Sequence, residues 1–166
     1  HKYPYIGFSF FYSSLSNHPA VGQAFALYPF ITFPIIQSNK DFLGFKLGLG
    51  MAYLTKTFDR LENYKNIAIG SNFNVAINIM AVYRRQLNES TSVSAGLSLI
   101  HFSNGSTATP NYGLNLPMAS VGLSKRISKP NDKIWSRKPS IPRFSYKDNK
   151  IFVFNFMGAF ASKNMG

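Results

Sequence analysis

Taking every second residue along this chain separates a large apolar set from a small or polar set, in seven segments one after another. Residues 5–14 put Ile6, Phe8, Phe10 and Tyr12 on one side and Gly7, Ser9, Phe11 and Ser13 on the other. Residues 44–54 oppose Phe45, Leu47, Leu49, Met51 and Tyr53 to Gly44, Lys46, Gly48, Gly50 and Ala52. The same division runs through 24–35, 74–84, 92–103, 115–126 and 151–162, and no helical period interrupts it. Side chains alternate faces only in an extended strand, so a period of two specifies strands.

The second face narrows the choice further. Its Gly, Ser and Asn, with Lys46 and Arg84, are small or polar, whereas the first face is continuously large and apolar. A lipid-facing exterior around a narrow polar interior accounts for both at once. A soluble sandwich with one wet face is the alternative. No run of 18 apolar residues occurs, so a membrane-spanning helix is excluded, but barrel strands need only about 9 to 11 alternating residues. The expected fold is all-β: an antiparallel transmembrane outer-membrane β-barrel of eight or more strands, with seven visible over residues 1–166 as a single domain. Seven is odd and single-chain bacterial barrels close with even numbers, so a fragment of a longer barrel is expected.

The connections alternate as well. Residues 36–41 and 86–91 are short, while 13–22, 55–66 and 104–114 are longer. Short periplasmic turns and long outer loops place the latter group outside. Residues 127–149 break the alternation with Pro130, Pro139 and Pro142, and strand counting puts them on the periplasmic side. From Lys125 to Lys150 the chain holds nine of its 18 Lys and Arg against Asp132 and Asp148, so much of the net charge of +12 is local. This basic loop suits solvent, inner-leaflet phosphate or a protein partner. No nucleic-acid recognition motif accompanies it.

With no Cys the chain has no thiolate nucleophile or thiolate metal site. Its three His, at 1, 18 and 101, lie far apart with no carboxylate pair beside them, so neither a metal nor a cofactor is expected. One segment carries chemistry. LSLIHFSNG (97–105) is an apolar column that ends in His101 and Ser103, two apart and therefore on one face. A serine becomes a nucleophile when a neighbouring base takes its proton and a third group orients that base. Asn115, across the 104–114 loop, falls on the same outer face. Ser71, near the same rim, is a further candidate for lining the site.

The run H-F-S-N-G-x5-N-x-G-x-N, His101 through Asn115, resembles the outer-membrane lipid A 3-O-deacylase family, the PagL-type acyloxyacyl hydrolases. The likeness is sharpest over 66–126, through NIAIGSNFN, the HFSN strand and the PNYG turn. It implies a small antiparallel barrel with a catalytic serine and histidine on the lipid-facing outer rim, acting on lipid A or a related acylated lipid. On that resemblance Ser103 is the nucleophile and His101 the general base. Asn111 is a side-chain oxyanion donor, the backbone near Gly105 and Ser106 supplies the other, and Asn104 braces the loop. The family's acidic residue falls on Asn115. An amide oxygen can accept the ring N–H and fix the tautomer, but it offers the imidazolium no full charge. The competing expectation is a catalytically silent barrel that serves as a structural or complex-forming subunit, and a small porin is a third.

Overall fold

The computed structural model describes residues 4–15 and 20–127 in full and 153–160 as backbone. His1, His18 and nearly all of the basic 127–149 segment lie outside the described residues. Seven strands form one antiparallel sheet in sequence order: β1 (Tyr5–Ser14), β2 (Gln23–Gln37), β3 (Asp41–Leu54), β4 (Phe73–Gln86), β5 (Thr91–Ser103), β6 (Leu114–Arg126) and β7 (Val153–Phe160). Each strand pairs with the next, the simplest topology for chain segments joined by hairpins. The sheet curls on itself, since the Phe11 ring of β1 meets the Phe102 ring of β5 at 6.0 Å between centroids.

Alternation in sequence becomes alternation in burial. Along most of β4 the pattern is strictly exposed then buried, with Val75, Ile77 and Ile79 outside and Asn74, Ala76, Asn78 and Met80 inside. Large apolar side chains are the ones exposed: Ile6 at 84%, Phe8 at 78% and Leu97 at 69%. An apolar exterior around an interior holding buried Thr32, Asn78, Ser120 and Ser124 reverses the pattern of a water-soluble domain. The protein is an outer-membrane-type β-barrel by fold.

Among the described residues, aromatic rings occupy part of the interior. The Phe30, Phe42 and Tyr28 rings lie where Cβ atoms on Gly7, Gly44 and Gly48 would be; for Gly7 and Gly48 the ring comes from the neighbouring strand, and for Gly44 from two residues earlier on β3 itself. Lys46 Nζ sits 3.8 Å from the centroid of Phe30 and donates to Ser9 Oγ at 2.9 Å, and the Arg84 guanidinium lies 4.7 Å over Phe42. Lys46 and Arg84 are thus held on aromatic faces.

At the end bearing the longer connections, 15–22, 55–72 and 104–113, the interior is an apolar cluster of Val21, Ala24, Leu54, Ile69, Ile100, Phe102 and Leu114. Outside the same end runs an aromatic row, Tyr12, Phe25, Tyr53 and Phe73, each in register with the next. Tyr12–Phe25 and Tyr53–Phe73 are ring pairs at 5.1 and 5.3 Å. Such a row marks the depth of the lipid headgroups. Tyr5, two residues before Gly7 and so on the inner face, sets its ring edge-on to that of Phe42 at 5.5 Å. The row one step deeper is Phe10, Leu27, Met51, Val75 and then Ser103.

Candidate active site

Phe102 is fully buried in the apolar cluster, and that burial turns its neighbours His101 and Ser103 to the outer wall. Leu114, 3% exposed, does the same for Asn115 at the start of β6. His101 and Asn115 are directly paired across β5 and β6, and His101 Nδ1 lies 2.7 Å from Asn115 Oδ1. With a carbonyl oxygen opposite, Nδ1 is the donor of this bond, which in the neutral ring makes Nε2 the lone-pair nitrogen. The two residues that the alternation placed on one face are therefore in contact.

Residues 104–113 fold back over Ser103. Asn104 organises this loop from a nearly buried position: its Oδ1 accepts from Ser106 N at 2.9 Å, and its Nδ2 donates to Ala108 O at 3.0 Å and to Ser71 Oγ at 3.1 Å. Gly105 and Ser106 both adopt positive φ, 63° and 66°, so the chain reverses within two residues. That reversal brings Gly105 N to 3.3 Å from Ser103 Oγ. From the other side Asn111 Nδ2 donates to the same Oγ at 3.0 Å, while its Oδ1 accepts from Asn104 N at 3.3 Å. Two N–H groups thus converge on one hydroxyl oxygen. Donors so placed favour negative charge there, whether on the serine or on an oxygen beside it.

The remaining expected residues divide. The Ser106 N–H is engaged by Asn104 Oδ1, so of the two backbone groups only that of Gly105 faces Ser103. Ser71 precedes β4 rather than lying within it and serves the loop through Asn104 while donating to Phe73 O at 2.8 Å. No hydrogen bond joins His101 to Ser103 directly among the described residues. No group of three or more metal-binding side chains occurs among them either.

Sequence reasoning missed the support from residues 67–71. Tyr112 N donates to Ile67 O at 3.4 Å and Gly113 N to Ala68 O at 3.0 Å. Gly70 packs where a Cβ would meet Pro110 O at 2.6 Å. The 55–72 connection is itself pinned by Asn66, 2% exposed, which donates to Ala20 O and Lys56 O at 3.0 and 3.1 Å and accepts from Ile69 N at 3.3 Å.

Fold and cluster together define a class: a membrane-spanning β-barrel with a serine, a histidine and two asparagine amides gathered on its lipid-facing rim. The family model described as lipid A 3-O-deacylase (PagL) matches residues 1–124, which include the whole cluster, and the chain belongs to that family. Membership implies lipid A 3-O-deacylase activity in the outer membrane. No curated protein and no solved structure matches the chain.

Proposed function

We propose that this protein removes an ester-linked acyl chain from lipid A by serine–histidine chemistry on its outer wall. The observation that carries the proposal is the convergence of Gly105 N and Asn111 Nδ2 on Ser103 Oγ, beside a histidine whose Nδ1 is engaged by Asn115. Ser103 Oγ attacks the ester carbonyl carbon, and His101 Nε2 takes its proton. Gly105 N and Asn111 Nδ2 pass from the hydroxyl oxygen to the oxyanion that forms next to it. Collapse breaks the carbon–oxygen bond, and the sugar oxygen leaves with the proton from His101. A water then cleaves the acyl-enzyme by the same proton path, releasing the fatty acid and restoring Ser103.

Depth supports the same assignment. Ser103 lies one row below the aromatic belt and in line with Val75, Met51 and Leu27. An acyl ester sits at that boundary between headgroup and hydrocarbon, so its substrate reaches Ser103 by moving laterally in the leaflet. Asn115 favours the rival, a silent barrel, because an uncharged amide stabilises the imidazolium less than a carboxylate does.

Incubating the protein in liposomes containing lipid A and weighing the lipid products separates the two. Loss of one acyl chain with wild type and no loss with Ser103→Ala is the expected result. An intact lipid with wild type, or equal loss with Ser103→Ala, overturns the enzymatic proposal.

A further inference from the structure

The hydrogen bond between His101 Nδ1 and Asn115 Oδ1 holds one edge of the imidazole. A single bond at Nδ1 leaves the ring free to pivot about it, and Nε2 is the atom whose position matters to proton transfer. The adjoining Cε1–Nε2 edge is held by shape. A Cβ on Gly113 would stand 2.6 Å from His101 Cε1, 3.3 Å from His101 Nε2 and 3.2 Å from Phe102 O, so the ring occupies space that only glycine leaves open. Gly113 itself is fixed: its φ is +74°, and its N–H donates to Ala68 O at 3.0 Å.

We infer that Gly113 is a positioning residue for the reaction, its bare Cα forming a shelf against which the Cε1–Nε2 edge of His101 rests. The inference builds on His101 as the proton carrier of the proposed reaction. Asn115 on one edge and Gly113 on the other confine the ring, and residues 67–71 anchor the shelf from a separate loop. The shelf belongs to the strand of chain that carries Asn111 two residues earlier, so Nε2 and the Asn111 amide are referenced to one short segment. A neutral partner at position 115 increases the importance of this contact, because the attraction that would hold an imidazolium against a carboxylate is missing.

Two substitutions distinguish contact from backbone strain. Gly113→Ala adds a Cβ at a φ that alanine adopts poorly, whereas Gly113→Asn adds a Cβ at a φ that asparagine tolerates. Both are expected to lower kcat roughly 10²-fold with KM within about twofold of wild type, the size of effect that a misplacement of about 1 Å produces. Retention of wild-type kcat by Gly113→Asn would show that only the left-handed backbone is needed and would overturn the inference. Gel mobility before and after heating reports whether each variant forms the barrel.

A second readout does not depend on turnover. Nitrogen-15 spectra of the imidazole, assigned against His101→Gln, are expected to show a protonated Nδ1 and an unprotonated Nε2 in wild type. In both folded variants that signature is expected to give way to a tautomer mixture. An unchanged signature in a folded variant overturns the shelf, whatever the activity. If wild type is inactive but the signature shifts in the variants, the Ser–His mechanism fails and the shelf survives.

Discussion

The amides of Asn111 and Asn115 are chemically alike and do opposite work. Asn111 presents its nitrogen to Ser103 Oγ and Asn115 its oxygen to His101 Nδ1. Asn111→Ala should therefore act like removal of an oxyanion donor and lower kcat by about 10²–10³, with little change in KM. Steady-state rates on lipid A in mixed micelles check this, and a fall confined to KM would assign Asn111 to binding instead. Asn115→Leu removes the acceptor and releases the tautomer, a change that costs on the order of 10⁴ in rate when a triad's third member is lost. Asn115→Glu supplies the charge and should raise the rate, whereas an unchanged rate would show that orientation alone is needed. The shared outer face of His101, Ser103 and Asn115 was legible in the sequence because alternation fixes which face a strand residue takes, and His101 pairs with Asn115 in register; Asn111, in the loop between the strands, was reached only through the family resemblance. Gly113 and Ala68 were not legible, because their contact joins loops 45 positions apart in a way no periodicity encodes.

At the scale of elements, alternation located all seven strands and failed at identifiable places. β2 was expected to end at 35 but runs to Gln37, because a bulge between Pro34 and Ile36 shifts the register and leaves Ile35 and Ile36 both exposed. The outer connection expected over 55–66 extends to 72, and within it Asn66 and Ile69 are buried against the end of the barrel. That connection is a structural part of the site. Asn66→Ala leaves the Ala20 and Lys56 carbonyls and the Ile69 N–H without their partner, at a cost of about 1–3 kcal/mol. Chemical unfolding in micelles should show the loss, together with reduced activity because Ala68 and Ser71 lose their support. Full activity in the folded variant would mean that residues 67–71 hold their place without it. In the same connection Asp59 accepts from Glu62 N and Leu61 N, and these bonds hold its carboxyl below the ordinary range. The folded pKa is depressed, so the stability it contributes is present above the ordinary carboxylate pKa and is lost as pH falls through the lower, folded value. Asp59→Asn should remove that acid-range dependence from the order of the loop, measured by amide exchange.

For the whole molecule the decisive relation is between wall and solvent. Leu97 sits at the middle of β5, 69% exposed, between Ala81 on β4 and Ala119 on β6. If water covered that wall, Leu97→Arg would be a surface change worth no more than about 0.5 kcal/mol. If hydrocarbon covers it, a guanidinium near the middle of the bilayer costs about 2–4 kcal/mol. Reversible urea titration of the protein in liposomes should therefore find Leu97→Arg destabilised by the larger amount, and a shift within error of zero would overturn the membrane assignment of this face. The same wall carries Ser103 and His101 near its upper edge. On the proposed mechanism, a serine–histidine pair set on that wall receives a substrate that is already in the leaflet. Catalysis should then track the lipid A content of the bilayer rather than its bulk concentration. Diluting liposomes at constant composition should leave the rate per protein unchanged, whereas diluting lipid A within them should lower it in proportion.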